Sequence, residues 1–593
     1  MAANSAALVN GPEDSVIDWH SIDWARREDE VRRLRRRIFK ASQEGDLKKV
    51  RNLQKLMLRS LSNTLVSVKR VTQQSSGRKT AGIDGKIALT PKARGELTAQ
   101  IHGTLSPGKA MPVKRVYIPK SNGKQRPLGI PVIRDRALQA RVKNALEPEW
   151  EARFETRSYG FRPGRGCHDT IEAIFGATAR KDAKRMWVLD ADLAAAFDRI
   201  SHAHLLDAIG QFPVRGLIRE WLKAGVLESG RYAPTEEGTP QGGVISPLLL
   251  NVALHGMEEA AGCRYQSAGR KKDPTAAKGT PILVRYADDF VALCHDEEQA
   301  KQVKDLLGDW LAPRGLRFNE EKTRIVHLAE GFDFLGFNVR RYRSKTIVKP
   351  SKEAIKRVRA KLKAEMTALN GANEEAVIRR LTPIVRGWSA YYRTVVSSKA
   401  FAALDNYVFK LTYRWAKRNH PKKPKNWIVK RYFGKFSRSR NDRWVFGDRA
   451  SGMHLPKFAW TKIVRHVLIK YRASPDDPRL IRYWDTRRRK KAPPPMDKVS
   501  LSLAFRQKGL CPLCRQALIP GAEYEPESPR EWIEWFAASK KALNKHHFVY
   551  RRDGGSDEKK NLRLVHADCH RQLHANDGSR TRTQKPAMPL RLA

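Results

Sequence analysis

The chain has 593 residues and is too long for a single hydrophobic core, so we expect several domains. Hydrophobic residues make up 41% of it, which excludes a wholly disordered chain. Lys and Arg number 115 against 62 Asp and Glu, and the net charge of +53 favours a polyanionic partner, nucleic acid before a membrane surface. The chain has no signal-peptide pattern and no apolar run of about 18 residues, so we expect no membrane association and a cytoplasmic location.

The first segments in chain order are helical and then strand-like. Aliphatic residues recur every three or four positions from Asp18 to Val71, which predicts helices. The Gly-rich stretch SSGRKTAGIDGK follows and is typical of a loop. After it, VKRVYIP predicts a strand and SNGK a tight turn.

Two segments in the middle of the chain combine strand-forming residues with carboxylates. In WVLDADL, alternation along a strand places Val188, Asp190 and Asp192 on one face. In ILVRYADDFVAL, the pair Asp288 and Asp289 falls where a hairpin would turn. With Asp192 beside this pair, three carboxylates would form a site for hard cations such as Mg²⁺, and two such ions serve nucleotidyl transfer. A solvated turn is the simpler alternative for an isolated Asp pair.

The C-terminal half is helical, then basic, then rich in Cys and His. Beyond Lys352, RGWSAYYR and YVFKLTYRWAKRNHP predict helices, and residues 422–491 are basic with interleaved aromatic residues. APPPMDK indicates a linker. Cys511 and Cys514 in CPLC form a zinc-site pattern. Cys569 lies near them in the sequence, and the three isolated cysteines are expected to be buried thiols: Cys167, Cys263 and Cys294.

Eight segments between about residue 60 and residue 340 resemble the ordered sequence blocks of reverse transcriptases encoded by group II introns. They are SGRKTAGIDG, VYIPKSNGKQRPLGIP, SYGFRPGRGCHD, DADLAAAFD, GTPQGGVISPLLLN, VRYADDF, GLRFNEEKT and FDFLGF. The resemblance implies a right-hand polymerase with fingers and palm, followed by a helical thumb, or maturase, region. The aromatic and basic helices after Lys352 are similar to that region, and the basic stretch after them stands where the family carries its DNA-binding segment.

The resemblance also assigns roles within the polymerase. Asp192, Asp288 and Asp289 are similar to the family's metal-binding triad. The residues similar to those that contact the incoming nucleotide are Lys120 and Arg126 at the triphosphate, Phe197 against a ribose 2′-hydroxyl, Gln241 beneath the nucleotide with Gly242 and Gly243 giving close backbone approach, and Lys322. Two of these roles have alternatives from the residues alone. Phe197 could be core packing, and Lys322 could pair with Glu320 or Glu321. We do not expect Asp190 to be a ligand, and we interpret Asp198 as structural.

The segment HHFVYRRDGGSDEKKNLRLVHADCHRQLH, taken with CPLC, resembles the HNH endonuclease motif and its ββα-metal fold. This resemblance implies that His547 is the general base, that Asn561 holds the motif together, and that His570 binds the nuclease metal with His546 or His574. It implies a structural zinc bound by three cysteines and one histidine: Cys511, Cys514, Cys569 and His566. The alternative is a zinc knuckle that binds DNA without cutting it.

Taken together, the resemblances predict an α+β multidomain protein. The expected parts are an N-terminal helical extension (1–60), fingers and palm (61–345), the thumb or maturase domain (346–425), the basic DNA-binding region (426–495), the HNH domain (496–576) and a basic tail (577–593). They imply an RNA-directed DNA polymerase that uses Mg²⁺ and dNTPs, binds its intron RNA as a ribonucleoprotein, assists splicing, and nicks target DNA at the nucleoid. The alternatives are a splicing factor with an inactive polymerase and a reverse transcriptase of another bacterial system. Oligomeric state stays open.

Overall fold

The computed structural model describes residues 17–103, 110–119, 125–266, 274–436, 440–490, 498–516, 518 and 528–576. It is an α+β multidomain structure, and this expectation from the sequence is confirmed. The predicted SNGK turn, Lys120 and the tail 577–593 lie outside the described residues. No helix in these ranges is both long and apolar enough to cross a bilayer.

The N-terminal region is a layer of helices packed on one buried helix. The stretch expected to be helical divides into α1 (Trp24–Gln43), α2 (Leu47–Arg59) and α3 (Leu61–Lys69), and α4 (Pro91–His102) follows. Asp46 caps the start of α2 and Ser60 the start of α3, since their side chains accept the amides of Lys49 and Asn63. The first three helices pack on α5 (Ile133–Glu151), which is buried along nearly its whole length.

The expected strand VKRVYIP belongs to a four-stranded sheet, here called the fingers sheet. β1 (Val113–Pro119) pairs antiparallel with β2 (Gln125–Ile130). On its other edge β1 pairs parallel with β4 (Val226–Glu228), which pairs with β5 (Arg231–Ala233). The next helix after α5 is α6 (Cys167–Thr178).

A second four-stranded sheet, here called the palm sheet, has the order β10-β3-β9-β8. Its strands are β3 (Trp187–Asp192), β8 (Ile282–Tyr286), β9 (Asp289–Cys294) and β10 (Arg324–His327). Between β3 and β8, besides β4 and β5, the described part of the chain forms five helices and a short strand pair: α7 (Ala196–Arg199), α8 (His202–Ile209), α9 (Arg215–Leu222), α10 (Ser246–Ala253), α11 (Met257–Ala260), and β6 (Tyr265–Gln266) with β7 (Thr275–Ala276). Helix α12 (Glu297–Leu311) lies between β9 and β10. The hydrophobic core lies against this sheet, and β8 is buried at every position.

The helical half begins after a three-stranded sheet. That sheet consists of β11 (Phe332–Phe334), β12 (Phe337–Tyr342) and β13 (Lys345–Pro350). The elements that follow are α13 (Lys352–Ala368), α14 (Glu374–Tyr392), α15 (Ser398–Asn419), α16 (Lys425–Tyr432) and the short pair β14 (Phe433–Gly434) and β15 (Val445–Phe446). Trp388, Tyr391 and Tyr392 of RGWSAYYR are at most 2% exposed, so they pack in the core.

The end of the basic stretch packs back onto the N-terminal half of the chain. We call residues 461–490, including α17 (Ile481–Lys490), the return segment. Arg165 donates to the carbonyl oxygens of Tyr471 and Ala473, at 3.1 and 3.3 Å. Arg35 of α1 holds Asp476 through two hydrogen bonds of 2.9 and 2.6 Å. The return segment is therefore part of the same packed unit as the fingers and palm.

The C-terminal module contains a two-stranded sheet followed by a helix. Its elements are α18 (Lys498–Arg506), α19 (Pro529–Ala542), β16 (Leu543–His547), β17 (Leu562–His566) and α20 (Ala567–Asn576). Helix α19 packs against α14 at Gly387, where a Cβ atom would lie 2.5 Å from the backbone nitrogen of Ile533. On another side, Gln572 donates to the carbonyl oxygens of His20 and Ile22, at 2.8 and 3.0 Å. The module thus contacts both the thumb and the N-terminal region.

Candidate active sites

The palm sheet brings the predicted acidic residues together. Strands β3 and β9 are antiparallel neighbours, and Asp192 pairs in register with Asp289. Strands β8 and β9 form the expected hairpin, with Asp288 in its turn. Since paired strands lie about 4.7–4.9 Å apart, the carboxylates of Asp192 and Asp289 can share one ion. The three acids lie at one end of the two central strands of a largely buried sheet.

The pKa values of the two hairpin acids, Asp288 and Asp289, are both raised at this site. Burial raises the pKa of Asp289 well above its usual value, and the charges of Asp288 and Asp192 raise it further. Burial and the charge of Asp192 also raise the pKa of Asp288, against the opposing charges of Arg126 and Lys322. Three acids that repel one another at a sheet edge are stabilised by cations, and oxygen donors suit hard divalent ions. The donor set therefore fits a divalent metal.

Lys322 lies at this acidic site. Its Nζ contacts Asp192, while Glu320 accepts a 2.8 Å hydrogen bond from Lys304. The alternative pairing of Lys322 with Glu320 is therefore wrong, because Asp192 is the partner that the fold supplies. Both Lys322 and Glu321 line the pocket beside Asp192 and Asp289.

The pocket at the acidic site has a volume of about 320 Å³ and also contains Asp190. Arg324 donates a 3.0 Å hydrogen bond to Asp190. Burial raises the pKa of Asp190 to about 6, although Arg324 opposes the shift. Asp190 thus lies on the same face as Asp192 and is paired with Arg324.

The predicted nucleotide-contacting loop lies against the fingers sheet. The amide of Gly129 in β2 donates to the carbonyl oxygen of Gln241, at 2.7 Å. Gly242 has φ +125°, and a Cβ atom there would lie 2.8 Å from the carbonyl oxygen of Gly129. The Gln241 Oε1 atom is buried without a hydrogen-bond partner in the described part of the chain. Arg126 is exposed on the same strand, β2.

Phe197 is packed rather than open. It is 7% exposed, and its ring meets that of Phe161 edge to face at 6.3 Å. Its carbonyl oxygen accepts the amide of Thr239 at 2.6 Å, which ties it to the loop that carries Gln241. Phe197 is thus largely buried, and its backbone is linked to the loop that carries Gln241.

The C-terminal module contains two clusters of metal-ligand type. The ligand atoms of the first cluster lie within 4.8 Å of one another: Cys511, Cys514, His566 and Cys569. The Cys514 sulfur is 3.3 Å from His566 Nδ1. Three thiolates and one imidazole at such distances suit tetrahedral zinc. The first cluster therefore fits a structural zinc ion.

The second cluster consists of three histidines. His546, His570 and His574 also have ligand atoms within 4.8 Å of one another, and His570 Nε2 is 3.1 Å from His574 Nε2. The sequence left open whether His546 or His574 completes this site, and the fold brings both to His570. His546 is in β16, and the other two are one turn apart in α20.

His547 has an acidic partner that the sequence analysis missed. Its Nε2 lies 2.7 Å from Asp557 Oδ1, and Arg551 donates two hydrogen bonds to the same carboxylate, at 2.9 and 2.6 Å. Asn561 pairs with Val549 in both directions, at 2.7 and 2.8 Å, and so closes the loop between the strands. The contact between His547 and Asp557 spans a loop, so it produces no periodic pattern in the sequence. The Asp in GGSDEKKN was the one available indication of it.

Four family models match separate parts of the chain. They are described as "N-terminal domain of reverse transcriptase" (residues 19–101), "Reverse transcriptase (RNA-dependent DNA polymerase)" (118–339), "Group II intron, maturase-specific domain" (355–433) and "HNH endonuclease" (535–576). The matched ranges contain the acidic site, the thumb helices and the three histidines of the second cluster. The N-terminal match extends past residue 60, where we expected the first boundary.

Curated proteins are also similar to this chain over about 300 residues. The chain is 37% identical to protein YkfC of Escherichia coli (strain K12) over 309 residues, which cover 47% of this chain and 81% of that protein. It is 32% identical to the group II intron-encoded protein LtrA of Lactococcus lactis subsp. cremoris over 296 residues, 41% of this chain and 49% of LtrA. The chain thus spans only about half the length of LtrA. With the maturase-specific and HNH matches, these similarities show that the chain belongs to the group II intron-encoded proteins, which join a reverse transcriptase to maturase and endonuclease domains.

Proposed function

We propose that this protein copies RNA into DNA by target-primed reverse transcription, assists the splicing of its intron RNA, and nicks the DNA strand that supplies the primer. The observation that carries the polymerase part is the register of Asp192 against Asp289 in the palm sheet, with Asp288 in the adjoining turn. This places the acids where two strands from distant parts of the sequence meet.

In the polymerase, Asp192, Asp288 and Asp289 would hold Mg²⁺. Bound there, the metal would lower the pKa of the primer 3′-hydroxyl and neutralise charge on the transferring phosphate. The cationic side chains of Lys322 and Arg126 favour a triphosphate beside the acids, because both oppose the negative field at Asp288. Lys120, which follows β1 directly in the sequence, would bind the same triphosphate. The buried, unpartnered Gln241 Oε1 and the close approach at Gly242 support a nucleotide-facing role for this loop.

The role of Phe197 follows from its connection to the same loop. We propose that its ring forms the wall that a ribose 2′-hydroxyl would strike, and that Phe161 holds it in place at 6.3 Å. The hydrogen bond from the amide of Thr239 to the carbonyl oxygen of Phe197 fixes the position of this wall relative to Gln241. Phe197→Ala should therefore increase ribonucleotide incorporation, measured by alkaline cleavage of the product, without abolishing cDNA synthesis.

In the nuclease, His547 would take a proton from the attacking water. Asp557 fixes the orientation of the imidazole from 2.7 Å. His546, His570 and His574 would hold a divalent metal, which would neutralise the scissile phosphate. Zn²⁺ bound by Cys511, Cys514, His566 and Cys569 would fix the strand and helix that carry these residues, and Asn561 would close the loop between them.

The proposed partners are the intron RNA, bound as a ribonucleoprotein, the target DNA and dNTPs. The net charge of +53 supports nucleic-acid binding through phosphate contacts. The maturase-specific match at residues 355–433 supports intron RNA as the resident partner. Since the target is DNA, we propose that the protein acts at the nucleoid, in a bacterial cytoplasm.

Primer extension on an RNA template tests the polymerase. Asp289→Asn should abolish cDNA synthesis, whereas Asp182→Asn, at an exposed carboxylate that pairs with Arg180, should leave it unchanged. Nicking of target DNA should persist in Asp289→Asn, which shows that the variant is folded. If the unmutated protein makes no cDNA, the splicing role without polymerisation is the remaining function.

Nicking of target DNA tests the nuclease in the same preparation. His547→Ala should lower the rate by roughly 10²–10⁴-fold, the range for loss of a general base. Primer extension should be unaffected by this change. Nicking that survives His547→Ala at its normal rate would mean that another group activates the water.

A further inference from the structure

The turn that carries Asp288 is backed by a second segment of the chain. Arg285 and residues 157–159 form a short backbone ladder, in which the amide of Tyr159 donates to Arg285 and the amide of Arg285 to Arg157, both at 2.9 Å. Just beyond it, Gly160 lies directly behind the turn. A Cβ atom at Gly160 would be 2.4 Å from the backbone nitrogen of Ala287, so any side chain there must displace the turn.

Arg285 holds the turn from the side. Its side chain is 1% exposed, and its Nη1 donates to the carbonyl oxygen of Ala287 at 3.2 Å and to Asn251 Oδ1 at 3.0 Å. Ala287 has φ +57°, a left-handed conformation that persists only where the surroundings enforce it. Glu155 Oε2, 3.8 Å from Arg285 Nη2, balances the buried positive charge.

Asn251 connects these two supports. Its Oδ1 accepts from Arg285, and its Nδ2 donates to the carbonyl oxygen of Gly160 at 2.9 Å. Asn251 is 1% exposed and belongs to α10. One buried amide therefore fixes Arg285 and Gly160 relative to each other, and both contact the backbone of Ala287.

We propose that Gly160, Asn251 and Arg285 are positioning residues, together a turn cradle, that set the position of Asp288 and Asp289 for metal and nucleotide binding. This inference rests on the proposed polymerase function. Metal ligands must be held to within about 0.5 Å by surrounding groups, and the two acids follow Ala287 directly in the chain. The cradle fixes Ala287 by one side-chain hydrogen bond and one backbone contact, and thereby fixes the start of β9.

A matched pair of glycine substitutions in the full-length protein tests the cradle. Gly160→Ala places a methyl group against Ala287, whereas a Cβ atom at Gly166 meets nothing within 4 Å. Asn251→Ala is the second cradle variant, because it removes the amide link without adding bulk. The readouts are the Mg²⁺ concentration for half-maximal primer extension, Mn²⁺ binding by electron paramagnetic resonance, and amide hydrogen exchange in residues 284–290.

Gly160→Ala and Asn251→Ala should both raise the Mg²⁺ requirement roughly 10- to 100-fold, the effect of a displacement near 1 Å. Both should weaken Mn²⁺ binding and speed exchange in residues 284–290, while target nicking and RNA binding stay normal. Gly166→Ala should match the unmutated protein in every assay.

Unchanged Mg²⁺ dependence and hairpin exchange in Asn251→Ala would overturn the proposal, even if Gly160→Ala failed to fold. An unmutated protein that makes no cDNA would refute the polymerase function instead. In that case faster hairpin exchange and weaker Mn²⁺ binding in the variants would still support the cradle, and unchanged values would refute it.

Discussion

Asp169 attaches the return segment to the polymerase body, and replacing it should release that segment. Its Oδ1 lies 2.8 Å from His466 Nε2 and accepts the Ile469 amide at 3.0 Å and Arg487 at 3.2 Å. Its Oδ2 accepts the amide of Gly166 at the start of α6, at 3.1 Å. The side chain is 4% exposed, so water does not replace these partners. Asp169→Asn keeps the shape of the side chain and removes its charge.

The pKa of Asp169 gives the size of the stabilisation that Asp169→Asn would remove. Burial alone would raise it, but His466, Arg487 and the Ile469 amide lower it from the usual 3.8 to about 2. A difference of this size corresponds to about 2 kcal/mol of stabilisation of the charged form. Asp169→Asn should therefore increase local opening of the return segment roughly 30-fold, because 1.36 kcal/mol is a factor of ten.

Amide hydrogen exchange of residues 464–472 measures this opening, with exchange in β3 and β9 as the internal reference. Asp182→Asn is the control, since Asp182 is exposed and joined to Arg180. Because the folded-state pKa is depressed, the stabilisation is present above about pH 4 and disappears as the pH falls toward 2. The two proteins should then exchange alike at pH 2. Equal protection of residues 464–472 at neutral pH would refute the reasoning.

Three further predictions concern the C-terminal module. Cys514→Ser should lower the zinc content measured by elemental analysis and should abolish nicking while cDNA synthesis continues; unchanged zinc content would contradict the assigned ligand set. Asp557→Ala should slow nicking by at least about tenfold. The effect should be smaller than that of His547→Ala, because only His547→Ala removes the general base, whose loss costs roughly 10²–10⁴-fold. A nicking rate equal to that of the unmutated protein would show that Asp557 does not position His547. Gly387→Ala should separate α19 from α14, since the added Cβ would lie 2.5 Å from the Ile533 nitrogen, and exchange in residues 529–542 should increase. Gly176→Ala, in helix α6 with open space around it, is its control, and equal exchange in both variants would contradict the docking contact.

The sequence by itself determined the local elements and the chemistry they carry. Alternation in WVLDADL placed Asp190 and Asp192 on one face, and adjacency placed Asp288 and Asp289 at one hairpin. Cys511 and Cys514 were recognisable as candidate metal ligands from their spacing. These features depend on neighbours within a few residues, where backbone periodicity and turn geometry act directly.

Only the tertiary structure decided which distant groups meet. The register of Asp192 against Asp289, the pairing of Lys322 with Asp192, and the contact of His547 with Asp557 each depend on how separate segments pack. The turn cradle and the attachment of the return segment at Asp169 are of the same kind. A hydrogen bond between residues far apart in the chain leaves no periodic signal, because its geometry is set by the packing of whole elements.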